Sequence, residues 1–332
     1  MTSGAVEHGF RYTPIFPAGC VTVAPSPTFP AAEVYTHDMT IRWYPGHMGK
    51  ALEKMAEAVR RIDVIIEILD ARLPFSSSNH QLEGIRRNKP CIKLLNKHDL
   101  ADPAVTRNWV RYFEKQAGVR ALPLSAKQHA EVKQLLKVCT QLIPHRGRPG
   151  WPLRAMVFGI PNVGKSTLIN TLAGKSIAKV GDKPAITTCA QQIDLHNGII
   201  LSDTPGVLWP NMDDQDVANR LAASGAIGAG AFDSTAVGMY AAEFMTERYP
   251  GLLKTRYKLE QLPEHPLHLL EAIGRRLGCL VSGGEVDVHR AAEAFLRELR
   301  GGKIGRISFE EPTVAPVALP AADDCADAAS SL

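Results

Sequence analysis

Gly159-Ile160-Pro161-Asn162-Val163-Gly164-Lys165-Ser166 follows the apolar run Leu153-Arg154-Ala155-Met156-Val157-Phe158 and leads into residues at helical spacing. A strand that feeds a glycine-rich loop opening a helix fits G-x-x-x-x-G-K-[ST], and this stretch decides the fold. The glycines let backbone N–H groups turn inward, and the helix N-terminus adds positive potential, so the loop suits a chain of phosphates. Asn162, Val163, Gly164, Lys165, Ser166 and Thr167 are the expected cradle. Lys165 would reach the β- and γ-phosphates, as a binding and a catalytic group, and Ser166 would coordinate Mg²⁺.

Downstream, Gln192 to His196 and Ile199 to Ser202 flank Asn197-Gly198, a strong hairpin signal. The second strand ends in Asp203-Thr204-Pro205-Gly206. A carboxylate there can hold magnesium through water, and Gly206 can offer its N–H to the γ-phosphate. Thr187, in Pro184-Ala185-Ile186-Thr187-Thr188, is expected to complete the magnesium shell only when the γ-phosphate is present. Thr188 is the alternative, and a loop threonine without a ligand is the bland reading.

Upstream stand Asn96-Lys97-His98-Asp99 and Ser125-Ala126-Lys127. The carboxylate of Asp99 can accept from the N1–H and the exocyclic amine of guanine. Adenine offers no such pair and would leave the acid unpaired, which gives a large discrimination. Asn96 is expected to brace the loops and touch the base edge, and Lys97 to lay its stem over the ring. The Ala126 N–H, flanked by Ser125 and Lys127, is expected to meet the guanine oxygen.

The order is the unusual part. A GTPase usually has its phosphate loop first and its guanine reader near the end, whereas here the guanine reader comes first and the D-T-P-G switch last. The expectation is a circularly permuted P-loop GTPase fold of the α/β class. Asp63 to Asp70, Cys91 to Leu95 and Ala121 to Leu124 read as short buried strands. Residues 104–117 and 128–142 have helical patterning between and after them. Strands alternating with helices imply a mostly parallel sheet covered on both faces.

The rest of the chain divides by composition. Residues 1–38 are rich in Pro, Ala, Thr and Ser and are expected to be a disordered extension, or an upstream misassigned start with Met39 as the working initiator. A helix from Gly49 to Val59 should lead into the first strand. The GTPase domain is placed at 39–210, a small all-helical domain at 211–310 and a disordered tail at 311–332. Within the helical part, breaks are expected at Tyr249-Pro250-Gly251 and Ser282-Gly283-Gly284, and a strand at Ile307 to Phe309. Its Lys and Arg residues fit RNA binding and a solvated helical face equally well.

With 332 residues, 45% of them hydrophobic, the chain can bury a full core, and a net charge of +4 selects no partner class. The cysteines at 20, 91, 139, 189, 279 and 325 form no C-x-x-C pair, which argues against a zinc knuckle or a disulfide framework. No stretch approaches the roughly 20 apolar residues that span a bilayer. A cytoplasmic monomer without membrane contact is expected, with an organellar homologue the alternative.

From about Ile41 to Phe309 the chain resembles the ribosome biogenesis GTPase A family. The resemblance rests on Trp43-Tyr44-Pro45-Gly46-His47-Met48, on Asp70-Ala71-Arg72-Leu73-Pro74 and on the permuted motifs. It implies GTP hydrolysis coupled to late maturation of the large ribosomal subunit, with ribosomal RNA and proteins as partners and the helical domain contacting RNA. A GTP-regulated RNA-binding module with incidental turnover is the alternative. Val207 follows the D-T-P-G motif where a water-orienting glutamine usually stands, so intrinsic hydrolysis should be slow. The resemblance implies that His47 takes that role, since an imidazole can position water near neutral pH; a helix cap or a packing contact on RNA is the alternative. Similar permuted GTPases use an asparagine like Asn162 to hold potassium, which adds positive charge where an arginine finger otherwise acts. A simple turn residue is the other reading of Asn162.

Overall fold

The computed structural model describes residues 57–79, 82–86, 88–175, 191–196, 198–203 and 214–312. The 1–38 extension, the Trp43 to Met48 stretch with His47, the residues Thr187, Thr188, Gly206 and Val207, and most of the expected tail lie outside them. Of the helix expected over Gly49 to Val59, residues 57–59 fall within and are helical, and the helix runs on to Arg60.

The strands are β1 (Val64–Asp70), β2 (Cys91–Asn96), β3 (Val119–Leu124), β4 (Leu153–Phe158), β5 (Gln191–Asp194) and β6 (Ile199–Asp203). They form one sheet in the order β3-β2-β1-β4-β6-β5, parallel except for β5. β3 carries Pro123, which an edge strand tolerates because one side of it makes no ladder bonds. β1 is buried along its whole length, and its register against β4 pairs Glu67 with Phe158. All five parallel strands therefore point their carboxyl ends the same way, where an open α/β sheet binds its ligands. Chain order reverses between β1 and β4, so the phosphate-loop strand is central although it is fourth in sequence.

Side-chain alternation sorts the core. Val64, Ile66 and Ile68 of β1, Ile92 and Leu94 of β2, and Ala155 and Val157 of β4 face one buried cluster. Ile65, Leu69, Cys91, Leu95, Met156 and Phe158 face the other. The second cluster is closed by α2 (Pro103–Glu114), which follows the short α1 (Leu82–Arg86). α2 starts with Pro103, is capped by Asp102 accepting from Ala104 N at 2.8 Å, and buries Val105, Trp109 and Phe113 at four-residue spacing. The first cluster is closed by α3 (His129–Leu142) and α4 (Lys165–Ala173), and it continues into the helices beyond.

Those helices are α5 (Gln215–Ser224), α6 (Ser234–Arg248), α7 (Pro250–Tyr257), α8 (Pro266–Leu277) and α9 (Val288–Arg300). Asp214, Asp233, His265 and Asp287 cap four of them with side-chain acceptors. α9 buries Ala291, Ala292, Phe295, Leu296 and Leu299 on one face. Gly238 of α6 lets that face approach closely, since a Cβ there would sit 2.7 Å from the Ala292 methyl.

Ile307 to Phe309 is not a strand, contrary to the expectation. It is an extended strap that bonds to loops instead of to a ladder. Ile307 N donates to Leu100 O at 3.0 Å, and Phe309 N to Arg72 O at 2.7 Å. Arg306 donates to the carbonyls of Ala101 and His98 at 2.9 and 2.8 Å. The strap ends on Glu310, a buried carboxylate that accepts from Phe75 N at 2.8 Å and Ser76 N at 3.1 Å and pairs with Arg220 at 3.5 Å. Burial pushes the Glu310 carboxyl up, against the pull of Ser76 and Arg220.

Candidate nucleotide site

The loops after β2, β3 and β4 meet at one end of the sheet. They line a cavity of about 520 Å³ with Asn96, Lys97, Asp99, Ser125, Ala126 and Lys127 on one side and Asn162, Gly164 and Thr167 on another. Every guanine-reading residue expected from the motifs is on this surface.

Asn96 ends β2 with its side chain buried. Its Nδ2 donates to Val163 O at 2.6 Å, and its Oδ1 accepts from Ala126 N at 2.8 Å. One amide thereby ties the phosphate loop to the S-A-K loop. The Ala126 N–H, expected to meet the guanine oxygen, is engaged by Asn96 here. Lys97 adopts a left-handed backbone with φ 60°, and its ammonium donates to Asn162 O at 3.0 Å and to Asp70 Oδ2 at 2.9 Å. Two further braces carry no sequence signal. Glu131 of α3 accepts from Ser125 N at 2.6 Å and pairs with His98 Nε2 at 3.1 Å, and Thr171 of α4 donates to Ala126 O at 2.8 Å.

The phosphate loop has the expected shape. Asn162 and Gly164 have φ of 57° and 109°, which turns successive N–H groups toward one side. Lys165 is buried, and its Nζ donates to Gly159 O at 2.9 Å and Ile160 O at 2.8 Å. An anionic phosphate oxygen is a stronger partner for an ammonium than either carbonyl, so Lys165 is placed to exchange them. A Cβ at Gly164 would run into the Asn96 amide, and a left-handed alanine adds about 1–2 kcal/mol of strain. Gly164→Ala is therefore expected to weaken GTP binding by about 5- to 30-fold, measured by calorimetric titration; unchanged affinity would mean that the loop relaxes around the methyl.

Magnesium is implied by the phosphate loop, and oxygen donors suit it. Ser166 is the second residue of α4, and Asp203 ends β6 in register with Val157, just before the loop. Ser166 at the start of the helix after β4 and Asp203 at the end of the neighbouring β6 are residue types that suit a hard cation. Among the described residues no group of three or more His, Cys, Asp or Glu side chains could hold a metal ion.

The third wall of the cavity is the unexpected one. Ser224, Gly225, Ile227, Gly228 and Ala229, at and after the end of α5, face the guanine loop together with Arg72 and Arg300. Asn162 Nδ2 donates to Gly225 O at 3.2 Å, so the phosphate loop is bonded to the helical layer. Arg72 forks onto Asp70 with Nε at 2.9 Å and Nη2 at 2.8 Å, and Nη2 also reaches Ser224 O at 3.0 Å. Its Nη1 is buried without a hydrogen-bond partner among the described residues. Burial pushes the Asp70 carboxyl up, but Arg72 and Lys97 outweigh it and hold the group well below the usual carboxylate value. Arg300 caps the end of α5 through Ala223 O at 3.1 Å and Ala222 O at 2.8 Å. Burial and the nearby Arg72 charge lower its pKa. The motif reading missed these two arginines as site residues, although Arg72 lies in the quoted Asp70 to Pro74 stretch.

A cavity with a phosphate cradle, a guanine-reading acid and a sheet entered out of order defines a circularly permuted P-loop GTPase. Residues 154–232 match the 50S ribosome-binding GTPase family. The ribosome biogenesis GTPase A of Bacillus cereus is 44% identical over 281 residues, covering 82% of this chain and 95% of that protein. Its namesake from Thermotoga maritima is 34% identical over 270 residues, covering 81% and 94%. The crystal structure of GNP-bound YlqF from T. maritima superposes with a TM-score of 0.56 at 30% identity, covering 79% of this chain and 98% of that one. The chain belongs to the ribosome biogenesis GTPase A family.

Proposed function

We propose that this GTPase binds and hydrolyses GTP during late assembly of the large ribosomal subunit, and that the ribosomal particle stimulates hydrolysis. The observation that carries the reading is the shared wall. The guanine loop, the phosphate loop and the end of α5 with the residues after it line one cavity, and Asn162 bonds directly to Gly225. Loading or loss of the γ-phosphate at the cradle can thus reorient the helices that would contact ribosomal RNA. The domain limits suggested for this division of labour are 39–210 and 211–310, acting as a cytoplasmic monomer.

In the proposed reaction Lys165 and the phosphate loop hold the β- and γ-phosphates. Ser166, Thr187 and Asp203 would hold Mg²⁺, which would neutralise charge developing on the transferred group. Gly206 would offer its N–H to the γ-phosphate, and His47 would orient the attacking water. Asn162 would help hold K⁺ through its amide oxygen, supplying positive charge in place of an arginine finger. The test is GTP turnover with and without large-subunit particles, in potassium and in sodium. Particles should accelerate turnover, potassium should exceed sodium, and His47→Ala should lose about 10²-fold or more of the stimulated rate while still binding GTP. Absence of stimulation would sink the coupling, and full activity of His47→Ala would sink that residue's role.

The Asn162 to Gly225 bond also suits a second reading, in which GTP only orders the helical layer for RNA and turnover is incidental. A turnover-dead His47 variant that still completes subunit maturation would favour it.

A further inference from the structure

The pole of the sheet opposite the nucleotide carries an arginine-rich surface around an exposed tryptophan. Arg148-Pro149-Gly150-Trp151 is a tight turn closed by Trp151 N donating to Arg148 O at 2.9 Å, with Gly150 at φ 77° as a type II turn requires. Gly147 N and Arg148 N both donate back to Trp151 O, at 2.9 and 3.3 Å, so the indole stands on a fixed base. It is nonetheless 64% exposed, and among the described residues no other aromatic side chain is so placed. The Arg146 guanidinium lies over the indole ring at 5.5 Å. Arg146 is in turn held by Asp63 Oδ1 at 3.5 Å, while Asp63 Oδ2 accepts from Arg154 N at 2.8 Å. Asp63 is therefore committed to Arg146 and a backbone N–H. Arg148 and Arg154, before and after Trp151 in the chain, are exposed and add positive charge.

We propose that this face binds a single-stranded or unstacked segment of RNA, with Trp151 stacking on a base and Arg148 and Arg154 meeting the flanking phosphates. A rigid, water-exposed indole loses little freedom when a base covers it, and every base presents a face to stack on. Arginines before and after the indole, Arg148 in the turn and Arg154 in β4, suit a phosphate backbone running past it. An acidic protein surface would satisfy the arginines but would give the indole no flat partner. The patch lies at the start of β4 and the phosphate loop at its end, roughly 20 Å away at about 3.3 Å per residue. Nucleotide binding then serves as an internal control.

The experiment uses the full chain and a fluorescein-labelled, unstructured 12-nucleotide RNA, with affinity measured across a salt series. Trp151→Ala should weaken binding by about 5- to 100-fold, and Trp151→Tyr should recover most of the loss. Arg148→Ser with Arg154→Ser should lower the salt slope by about 1.4, for two single-strand phosphate contacts. GTP affinity and intrinsic turnover should stay at wild-type values in all of them, which separates a failed patch from a misfolded protein. Unchanged RNA affinity in Trp151→Ala, or no RNA binding by the wild type at low salt, would overturn the proposal even if ribosomal particles still stimulate turnover. Loss of particle binding with RNA affinity intact would overturn it in favour of a protein partner. RNA binding that follows the patch with no particle stimulation would support it and count only against the coupled GTPase reading.

Discussion

Asp99→Asn will exchange guanine for xanthine specificity. Asp99 stands on the cavity wall beside Ser125, Ala126 and Lys127, where its two carboxylate oxygens can accept the N1–H and the exocyclic amine of guanine. An asparagine keeps one acceptor and turns the other into a donor, so the guanine amine meets a second N–H. Xanthine has a carbonyl oxygen at that position and fits the new pair. A site built to hydrogen-bond its ligand rejects a mismatched one strongly, and the expected loss of GTP affinity is about 10²- to 10⁴-fold, with XTP becoming the preferred nucleotide. Competition between fluorescent GTP and XTP for the variant reads this directly. A variant that keeps GTP preference would remove Asp99 from the base site. The fold should survive the change, because among the described residues the bonds that brace the loops run through Asn96, Lys97 and Glu131 and not through the Asp99 side chain.

The second large effect concerns stability. Arg72→Ala strips the bidentate partner from Asp70, a buried carboxylate, and cuts the bond to Ser224 O that holds the end of α5. Removing one member of a buried pair costs about 3–5 kcal/mol, mostly for the charge left behind. Lys97 softens the loss, since its ammonium stays 2.9 Å from Asp70 Oδ2. The pH dependence has a definite sign. Burial raises the Asp70 pKa, yet Arg72 and Lys97 overcome it, so the folded value lies below the unfolded one. The stabilisation is therefore complete above about pH 4, where an unfolded aspartate ionises, and is lost as pH falls toward the folded value. Urea unfolding from pH 7 to pH 3 should show a steep acid limb in the wild type and a shallower one in Arg72→Ala. Equal limbs would place the acid sensitivity elsewhere, and a stable Arg72→Ala at neutral pH would dismiss the pair as a support.

Both effects begin at residues that local sequence treats differently. Asp99 belongs to a contiguous motif, and its chemistry follows from four adjacent letters. Arg72 is conspicuous only as part of Asp70 to Pro74, and nothing local says that its guanidinium closes a nucleotide cavity against Ser224, 152 positions away. The same separation hides Glu310, whose carboxylate collects the N–H groups of Phe75 and Ser76 across more than 230 residues. The strand expected at Ile307 to Phe309 was misread for this reason. An apolar alternation specifies extended backbone, but only a partner decides whether its N–H groups enter a ladder, and here they bond to Leu100 and Arg72 in loops.

The helical layer shows the same division. Caps, Pro at first turns and apolar spacing mark α5 to α9 one by one. They do not say that the layer shares one buried cluster with β1 and β4, or that the end of α5 and the residues after it wall the nucleotide cavity.

The sequence by itself determined the class of protein and the permuted order, because phosphate cradling and guanine reading need specific residue types at short, fixed spacings along the chain. Asn96, Asp99, Lys165 and Ser166 follow from their motifs, and they lie at the end of β2, in the loop after it and at the helix start after β4, since a parallel sheet delivers such ends to one side. Only the tertiary structure decided that Asn162 bonds to Gly225, that Arg72 and Arg300 complete the cavity, and that the strap from Ile304 to Glu310 returns to the guanine loop. Those contacts depend on packing between segments far apart in the chain, and packing energy is set by the shapes that meet, which no local pattern of residues records.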